Sequence, residues 1–181
     1  IAGLEASKVI ANKNFDITLV SKEIGGNYLN YTCIPSKLLL EYSNKIKDFN
    51  KLLNKVRDKI KQFKDDINNE LLKSGVKIIE DECIVFPNFL KFNKNNKQIF
   101  LNKEDKLILC TGSIPIKGSF EGIKYAKYSS QLLEINEFPS KVCIIGAGPE
   151  GVELAEFFHN LHSEVYLVEK KERVLSLEDV D

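Results

Sequence analysis

The chain has 181 residues, long enough for one or two domains, and its 43% hydrophobic and 29% charged residues are typical of a globular protein. Its 26 basic residues are balanced by 26 acidic ones, which excludes binding of nucleic acid through a general excess of positive charge. No apolar run reaches the roughly 18 residues of a membrane-spanning helix. The cysteines lie too far apart for metal-ligand or disulfide-framework spacing, so the sequence predicts no metal site; they are Cys33, Cys83, Cys110 and Cys143.

The part of the chain before Gly75 predicts helices around a single short strand. Apolar residues recur every three or four positions between Ile46 and Ile67, which indicates an amphipathic helical hairpin, although a coiled coil would share this spacing. Asn50 is the expected N-cap of the second helix, and Gly75 is its expected C-terminal stop. The expected elements are a helix at 4–13, a strand at 15–20, and helices at 36–47 and 51–73.

After Gly75 the apolar pattern alternates with a period of two, which predicts an antiparallel β-meander up to Cys110. The Asn-rich segment 93–96 is expected to form one of its turns. A connecting segment then leads to an apolar strand, a helix and a second strand, the pattern of a parallel βαβ unit. The expected strands lie near 76–85, 89–92, 98–101, 106–110, 141–145 and 164–168, with the connecting segment at 112–140. Cys83, Cys110 and Cys143 fall in or next to these strands and are expected to be small core residues.

A glycine-rich motif, Gly146-Ala-Gly-Pro-Glu-Gly151, lies between the strand and the helix of that βαβ unit. In such a turn Gly146 permits the tight bend, Gly148 lets the backbone approach a pyrophosphate, and Gly151 lets helix and strand pack closely. Glu169 ends the second strand, where it would accept hydrogen bonds from a ribose and favour NAD over NADP. Two following lysines could blur that preference, and a glycine turn that binds nothing is the alternative.

The N-terminus carries part of a similar motif. Ile1-Ala-Gly3 precedes a helix and a strand, as though Gly3 were the last glycine of a second dinucleotide-binding fingerprint. We interpret the chain as a fragment that begins inside this motif. A helix at a true N-terminus is the alternative.

Cys33 lies just before a helix whose start is fixed by Pro35 and Ser36. The N–H groups at a helix N-terminus, together with the nearby Lys37, favour the reactive form of a thiol. A buried and inert cysteine is the alternative, and these residues alone do not separate the two.

The segment from Gly25 to Lys37 resembles G-G-T-C-L-N-V-G-C-I-P-S-K, the redox signature of the flavoprotein disulfide reductases, and its I-P-S-K ending is similar to the dihydrolipoamide dehydrogenase branch. The segment 109–115 resembles the A-T-G-S-x-P segment of that family. Gly146 to Gly151 resembles its NAD-binding motif, with Glu153 in the Val-Glu-Leu that follows. The resemblance covers the whole chain with its motifs in order.

This resemblance implies an α/β fold, the three-layer Rossmann-like FAD/NAD(P)-binding fold with a helical hairpin and a β-meander, followed by the start of a second dinucleotide-binding domain. The expected domains are an FAD-binding domain at 1–138, incomplete at its start, and the beginning of an NAD-binding domain at 139–181. The implied cofactors are FAD and NAD. By position, FAD would contact Gly3, Glu23, Gly25, Gly26, Lys37, Thr111, Gly112 and Ser113, and NAD would contact Gly146, Gly148, Gly151 and Glu169.

The resemblance also implies roles and partners. Cys33 would be the flavin-proximal sulfur, and Lys37 would lie near the flavin and pair with Glu153, because a lysine beside a buried flavin needs a carboxylate nearby. The full-length family leads us to expect a homodimer that acts on the lipoyl domain of a 2-oxo acid dehydrogenase complex, in a mitochondrial matrix or a plastid.

One departure from the family bears on activity. The cysteine that attacks the substrate disulfide in the family is replaced by Tyr28, and a phenol cannot form a disulfide. We therefore expect no turnover of dihydrolipoamide by the chain as written. The alternatives are a single-cysteine NADH oxidase or peroxidase, with Cys33 cycling through a sulfenic acid, and a non-catalytic nucleotide-binding homologue.

Overall fold

The computed structural model describes residues 1–13, 15–116 and 118–179. These residues form two compact units, each assembled from two stretches of chain: 1–28 with 62–116, and 29–61 with the segment after residue 116. The division into an FAD-binding domain at 1–138 and an NAD-binding domain from 139 stays a prediction.

The first unit is built on a pair of parallel strands. The helix α1 (Ala2–Ala11) leads into β1 (Thr18–Val20), which pairs with β2 (Lys77–Ile79). The predicted strand at 15–20 is therefore confirmed in its second half. Four buried residues from separate parts of the sequence form the core of this unit: Leu4, Ile24, Leu71 and Val76.

Three helices follow β1, namely α2 (Gly26–Asn30), α3 (Cys33–Ser43) and α4 (Phe49–Lys73). The two helices predicted at 36–47 and 51–73 are confirmed as α3 and α4, but the predicted cap of the second is wrong. Helix α4 begins one residue before Asn50, and the Asp48 carboxylate accepts the N–H of Lys51 at 2.9 Å. Asp48 is thus the residue that satisfies a free N–H group of the first turn.

The predicted stop of α4 at Gly75 is confirmed. Gly75 has a φ of +79°, and its N–H donates to the carbonyl of Leu72. The N–H of Val76 donates to the carbonyl of Leu71. These two bonds satisfy the last carbonyls of the helix, in the conformation that glycine adopts at least cost.

The β-meander is confirmed with three antiparallel strands, β3 (Cys83–Val85), β4 (Phe89–Phe92) and β5 (Gln98–Phe100). The predicted single strand at 76–85 is wrong, because its first part is β2, which pairs in parallel with β1, and only its last part, β3, belongs to the meander. The expected strand at 106–110 is wrong, because this stretch forms no strand. A strand needs a neighbour for its backbone N–H and C=O groups, and among the described residues none pairs with it. The prediction of Cys83 and Cys110 as core residues is wrong, because Cys110 is exposed and Cys83 is half-buried.

The second unit contains the predicted βαβ unit. The strands β6 (Lys141–Ile145) and β7 (Glu164–Val168) are parallel, and α5 (Pro149–Asn160) packs against them. Alternate residues of both strands are half-buried and exposed. Cys143 belongs to the exposed set, so its prediction as a core residue is wrong. The connecting segment at 112–140 contains two short 3₁₀ helices, Ile123–Tyr125 and Ser129–Glu134.

Helices α3 and α5 pack against each other in the second unit, together with the first half of α4. The fully buried side chains of this unit come from all three helices: Leu39, Ser43, Leu52, Leu53, Val56 and Phe157. Among the described residues, no helix is both long enough and apolar enough to cross a bilayer.

Candidate functional site: a thiol and a glycine-rich turn on paired helices

The glycine-rich turn before α5 has the conformation that its sequence predicts. Gly146 has a φ of +105°, which favours glycine, and its N–H donates to the carbonyl of Val168 at 2.8 Å. A Cβ on Gly151 would lie 2.0 Å from the carbonyl oxygen of Gly146, so no other residue fits there without moving the backbone. The predicted packing role of Gly151 is confirmed.

The space in front of this turn suits a pyrophosphate. Gly148 is the N-cap of α5, and a Cβ added to it would meet nothing within 4 Å. Because glycine has no side chain to cap the first turn, the N–H groups of that turn and the helix dipole are available to an anion. The residues present therefore fit a dinucleotide, while their binding role stays a prediction.

Glu169 lies beside the turn at the end of β7. Its carboxylate accepts the N–H of Ala147 at 2.8 Å and the N–H of Lys171 at 2.9 Å. These hydrogen bonds, from Ala147 first, lower the pKa of Glu169 below its usual value, and the nearby Lys171 charge adds to the effect. The carboxylate is thus held ionised next to the glycines, as ribose recognition requires, although its contact with a ribose stays a prediction.

Cys33 is the first residue of α3. Thr32 is the N-cap, and the N–H of Ser36 donates to its carbonyl at 3.0 Å. The Thr32 hydroxyl lies 3.8 Å from the Cys33 sulfur and donates a hydrogen bond to it. Cys33 is exposed, so the alternative of a buried and inert cysteine is excluded. The sulfur therefore lies at a helix N-terminus with a hydroxyl donor beside it.

The predicted pairing of Lys37 with Glu153 is confirmed, with 2.8 Å between Nζ and Oε1. The Ser36 hydroxyl donates to the other carboxylate oxygen at 2.9 Å, a contact that the sequence reasoning missed. Partial burial by itself raises the pKa of Glu153, but the hydrogen bonds from Lys37 and Ser36 outweigh it, so the pKa is lowered.

Helices α3 and α5 run in the same direction. Ser36 bonds Glu153, and seven residues later in both helices Ser43 bonds Asn160. The N-terminus of α3, which carries Cys33, therefore lies at the same end of the helix pair as the glycine-rich turn. This shared end unites a thiol, an ion pair and a turn suited to phosphate.

Part of the predicted FAD site comes together in the first unit. A Cβ on Gly3 would lie 3.3 Å from the Cβ of Cys110, next to the predicted contacts Thr111, Gly112 and Ser113. The Asn27 side chain, directly after Gly25 and Gly26, donates to the carbonyl of Ser113. Asn27 was missed, since the resemblance pointed only to the glycines before it. Their FAD contacts stay predictions.

Glu23, an acid among the predicted FAD contacts, has a protein partner. Its carboxylate forms an ion pair with Lys64 of α4, and each side chain is 31% exposed. The Ser21 hydroxyl donates to the Glu23 carbonyl at 2.8 Å. Among the described residues, no three His, Cys, Asp or Glu side chains are grouped so that they could hold a metal ion.

Together, the glycine-rich βαβ unit and the thiol-bearing helix beside it define a dinucleotide-binding α/β protein with a candidate redox cysteine. The family model described as pyridine nucleotide-disulphide oxidoreductase matches residues 1–181. The chain belongs to this family. Membership implies binding of FAD and NAD(P).

Curated relatives are about a quarter identical to the chain over the residues that align. Dihydrolipoyl dehydrogenase of Bacillus subtilis is 27% identical over 99% of this chain and 44% of its own length. Mercuric reductase of Bacillus cereus is 27% identical over 84% of this chain and 27% of its own length. The chain thus spans less than half the length of these relatives.

The expectation of a mitochondrial or plastid protein is wrong. The curated relatives are bacterial, from Bacillus, Chlamydia and Vibrio, and indicate a bacterial rather than an organellar protein.

A solved structure confirms the fold. The Cu(II) complex of the HOCl-induced flavoprotein disulfide reductase RclA from Escherichia coli superposes with a TM-score of 0.85 at 24% identity, covering 99% of this chain and 42% of that one. The α/β fold predicted from the sequence is therefore that of a flavoprotein disulfide reductase.

Proposed function

We propose that the chain is the cofactor-binding part of an FAD- and NAD-dependent oxidoreductase related to dihydrolipoyl dehydrogenase, with Cys33 as its reactive sulfur. The observation that carries the proposal is the shared end of α3 and α5, where Cys33, the Lys37–Glu153 pair and the glycine-rich turn meet. A helix pair that presents a thiol beside a nucleotide-binding turn suits electron transfer between NAD and sulfur.

Each group has a part in this proposal. The turn from Gly146 to Gly151 binds the NAD pyrophosphate, and Glu169 accepts hydrogen bonds from the ribose. Glu153 pairs with Lys37 and orients it, and Thr32 supplies a hydrogen bond to the Cys33 sulfur. Bound FAD would supply the two-electron chemistry that links nicotinamide to sulfur.

Tyr28 decides which substrate is possible. A dithiol relay requires a second sulfur to attack the substrate and then to form a disulfide with Cys33. The Tyr28 phenol cannot do either, so we propose that the chain as written does not oxidise dihydrolipoamide. A homodimer and a lipoyl-domain substrate are proposals from the family resemblance, and Tyr28 argues against the second.

The experiment uses two tyrosines with equal exposure. Tyr28 and Tyr31 are each 40% exposed, so Tyr28→Cys and Tyr31→Cys are matched in size and accessibility. We expect lipoamide-dependent NADH oxidation from the full-length protein with Tyr28→Cys, and none from the unchanged protein or from Tyr31→Cys. An unchanged protein as fast as Tyr28→Cys would overturn the roles assigned here.

A single-cysteine peroxidase is the second candidate, favoured by the exposed Cys33 and the hydroxyl donor beside it. In that reaction the Cys33 thiolate attacks one oxygen of a hydroperoxide, the O–O bond breaks, and the leaving oxygen departs as water or an alcohol. The resulting sulfenic acid takes up two electrons, supplied by NADH, and a proton, and it returns to the thiolate with loss of water. Hydroperoxide-dependent NADH consumption that Cys33→Ser abolishes would support this candidate over the first.

A further inference from the structure

Lys47, in the loop between α3 and α4, joins the C-terminal ends of two helices. Its ammonium donates to the carbonyl of Ser43 at 2.8 Å and to the carbonyl of Asn160 at 3.0 Å. These are the last residues of α3 and α5. Carbonyls at a helix C-terminus carry partial negative charge and lack partners within the helix, so a cation there is stabilising. Here the Lys47 ammonium caps the C-terminal ends of both helices.

A second contact makes this junction specific. The Asn160 side-chain N–H donates to the hydroxyl of Ser43 at 3.1 Å, and that hydroxyl donates to the carbonyl of Leu40 at 2.8 Å. Ser43 is fully buried. Sliding one helix along the other would break the hydrogen bond from Asn160 to Ser43, whereas the bond from Ser43 to Leu40 lies within α3 and would remain.

The opposite end of the same helix pair is joined by a hydroxyl contact and an ion pair. There Glu153 accepts hydrogen bonds from Ser36 and Lys37, seven residues and therefore about 10 Å before the Asn160 junction. The Lys37 side chain is 61% exposed. An ion pair with one exposed and flexible partner fixes a helix register weakly.

We propose that Lys47, with Ser43 and Asn160, is a clasp that sets the register of α3 against α5 and thereby keeps Cys33 and the Lys37–Glu153 pair beside the glycine-rich turn. Lys47 is a positioning residue, since it acts through the two helices and touches no reacting atom. Its importance for electron transfer rests on the proposed function, whereas the clasp itself does not.

The test is amide hydrogen exchange on the full chain without added nucleotide. Lys47→Met removes the charge and keeps the length, and Lys47→Arg restores a donor. The matched control is Lys51→Met, because Lys51 is 80% exposed and its ion pair with Asp48 is 4.0 Å long. We expect Lys47→Met to speed exchange about fivefold at residues 36–38 and 152–154, the end remote from the substitution. Lys47→Arg and Lys51→Met should leave that end protected.

Other outcomes would overturn the clasp. Faster exchange confined to the neighbourhood of Ser43 and Asn160 would make Lys47 a local helix cap, and equal effects of Lys47→Met and Lys51→Met would remove it from the helix pair. If Lys47→Met does not fold, Asn160→Ala takes its place with the same expected pattern. NADH titration of the unchanged chain and of the same variants separates the two proposals. If the unchanged chain does not bind NADH, the proposed function is contradicted, but the clasp is not.

Discussion

Two regions of the molecule carry the same pair of features, a glycine at a helix start and an acid after the following strand. In the second unit these are Gly151 and Glu169, and in the first they are Gly3 and Glu23. A Cβ on Gly151 would strike a backbone oxygen at 2.0 Å, whereas a Cβ on Gly3 would meet the side chain of Cys110 at 3.3 Å. Glycine is thus obligatory at one position and replaceable at the other.

The two acids differ in a similar way. Glu169 is held by N–H groups of the turn and of the chain that follows it, while Glu23 is held by the side chain of Lys64. Backbone donors are fixed by the fold, and a lysine side chain is free to leave. The comparison teaches that the region from 141 to 171 holds its acid with its own backbone, whereas the acid of the first region pairs with a lysine side chain.

Gly151→Ala should have the largest effect on stability. The added methyl overlaps the Gly146 carbonyl, so either the turn or α5 must shift, at a cost of about 3 kcal/mol in the free energy of unfolding. Urea denaturation would measure this. Gly148→Ala is the control within the same motif, since its Cβ meets nothing within 4 Å, and an equal loss in both variants would contradict the close-packing argument.

Glu169→Ala should weaken NADH binding by about 1–3 kcal/mol, because the ribose loses a charged hydrogen-bond partner. Isothermal titration of NADH would measure the change. Glu23→Ala is the comparison in the other region and should leave NADH affinity as it is. Equal NADH affinity in the unchanged protein and in Glu169→Ala would remove Glu169 from the ribose role.

Glu153→Gln should lower stability by about 1 kcal/mol or less at neutral pH, because the Lys37 partner is largely exposed. The folded-state pKa of Glu153 lies below its unfolded value, which is near 4.3. The stabilisation is therefore present above that value and is lost as the pH falls through the folded pKa. Denaturation midpoints of both proteins should converge in acid, and a constant gap at every pH would argue against a charge interaction.

Gly3→Ala should have the smallest effect, within about 1 kcal/mol of zero. The tight contact with Cys110 costs free energy, while alanine is a better helix residue than glycine and offsets that cost. Thermal unfolding of Gly3→Ala and Gly151→Ala under the same conditions would compare their losses of stability directly. A loss as large as that of Gly151→Ala would erase the difference between the two regions.

Much of the second unit could be predicted from the sequence, because its motif is local. The strand, the turn and the helix that starts near Pro149 follow one another within 25 residues, and the parallel pairing of β6 with β7 follows from that order. The Lys37–Glu153 pair could not be predicted from local sequence pattern, because its residues are far apart in the chain. The family resemblance predicted it.

Other features depend on partners distant in sequence and were missed. The stretch at 106–110 has the apolar pattern of a strand, but pairing depends on a neighbouring strand that no local pattern reveals. Asp48 rather than Asn50 caps α4, a shift of two residues that is ordinary at a helix end. The contacts of Lys64 with Glu23 and of Lys47 with Asn160 join surface lysines to remote groups, and a lysine-rich sequence offers many equivalent candidates.

The most direct test of the central claim is anaerobic NADH titration of the full-length, FAD-loaded protein, followed by the flavin absorbance. We predict that NADH bleaches the flavin in the unchanged protein and in Tyr28→Cys alike, and that lipoamide added afterwards restores the colour only in Tyr28→Cys. Failure of NADH to bleach either protein, or recovery with lipoamide in the unchanged protein, would contradict the account.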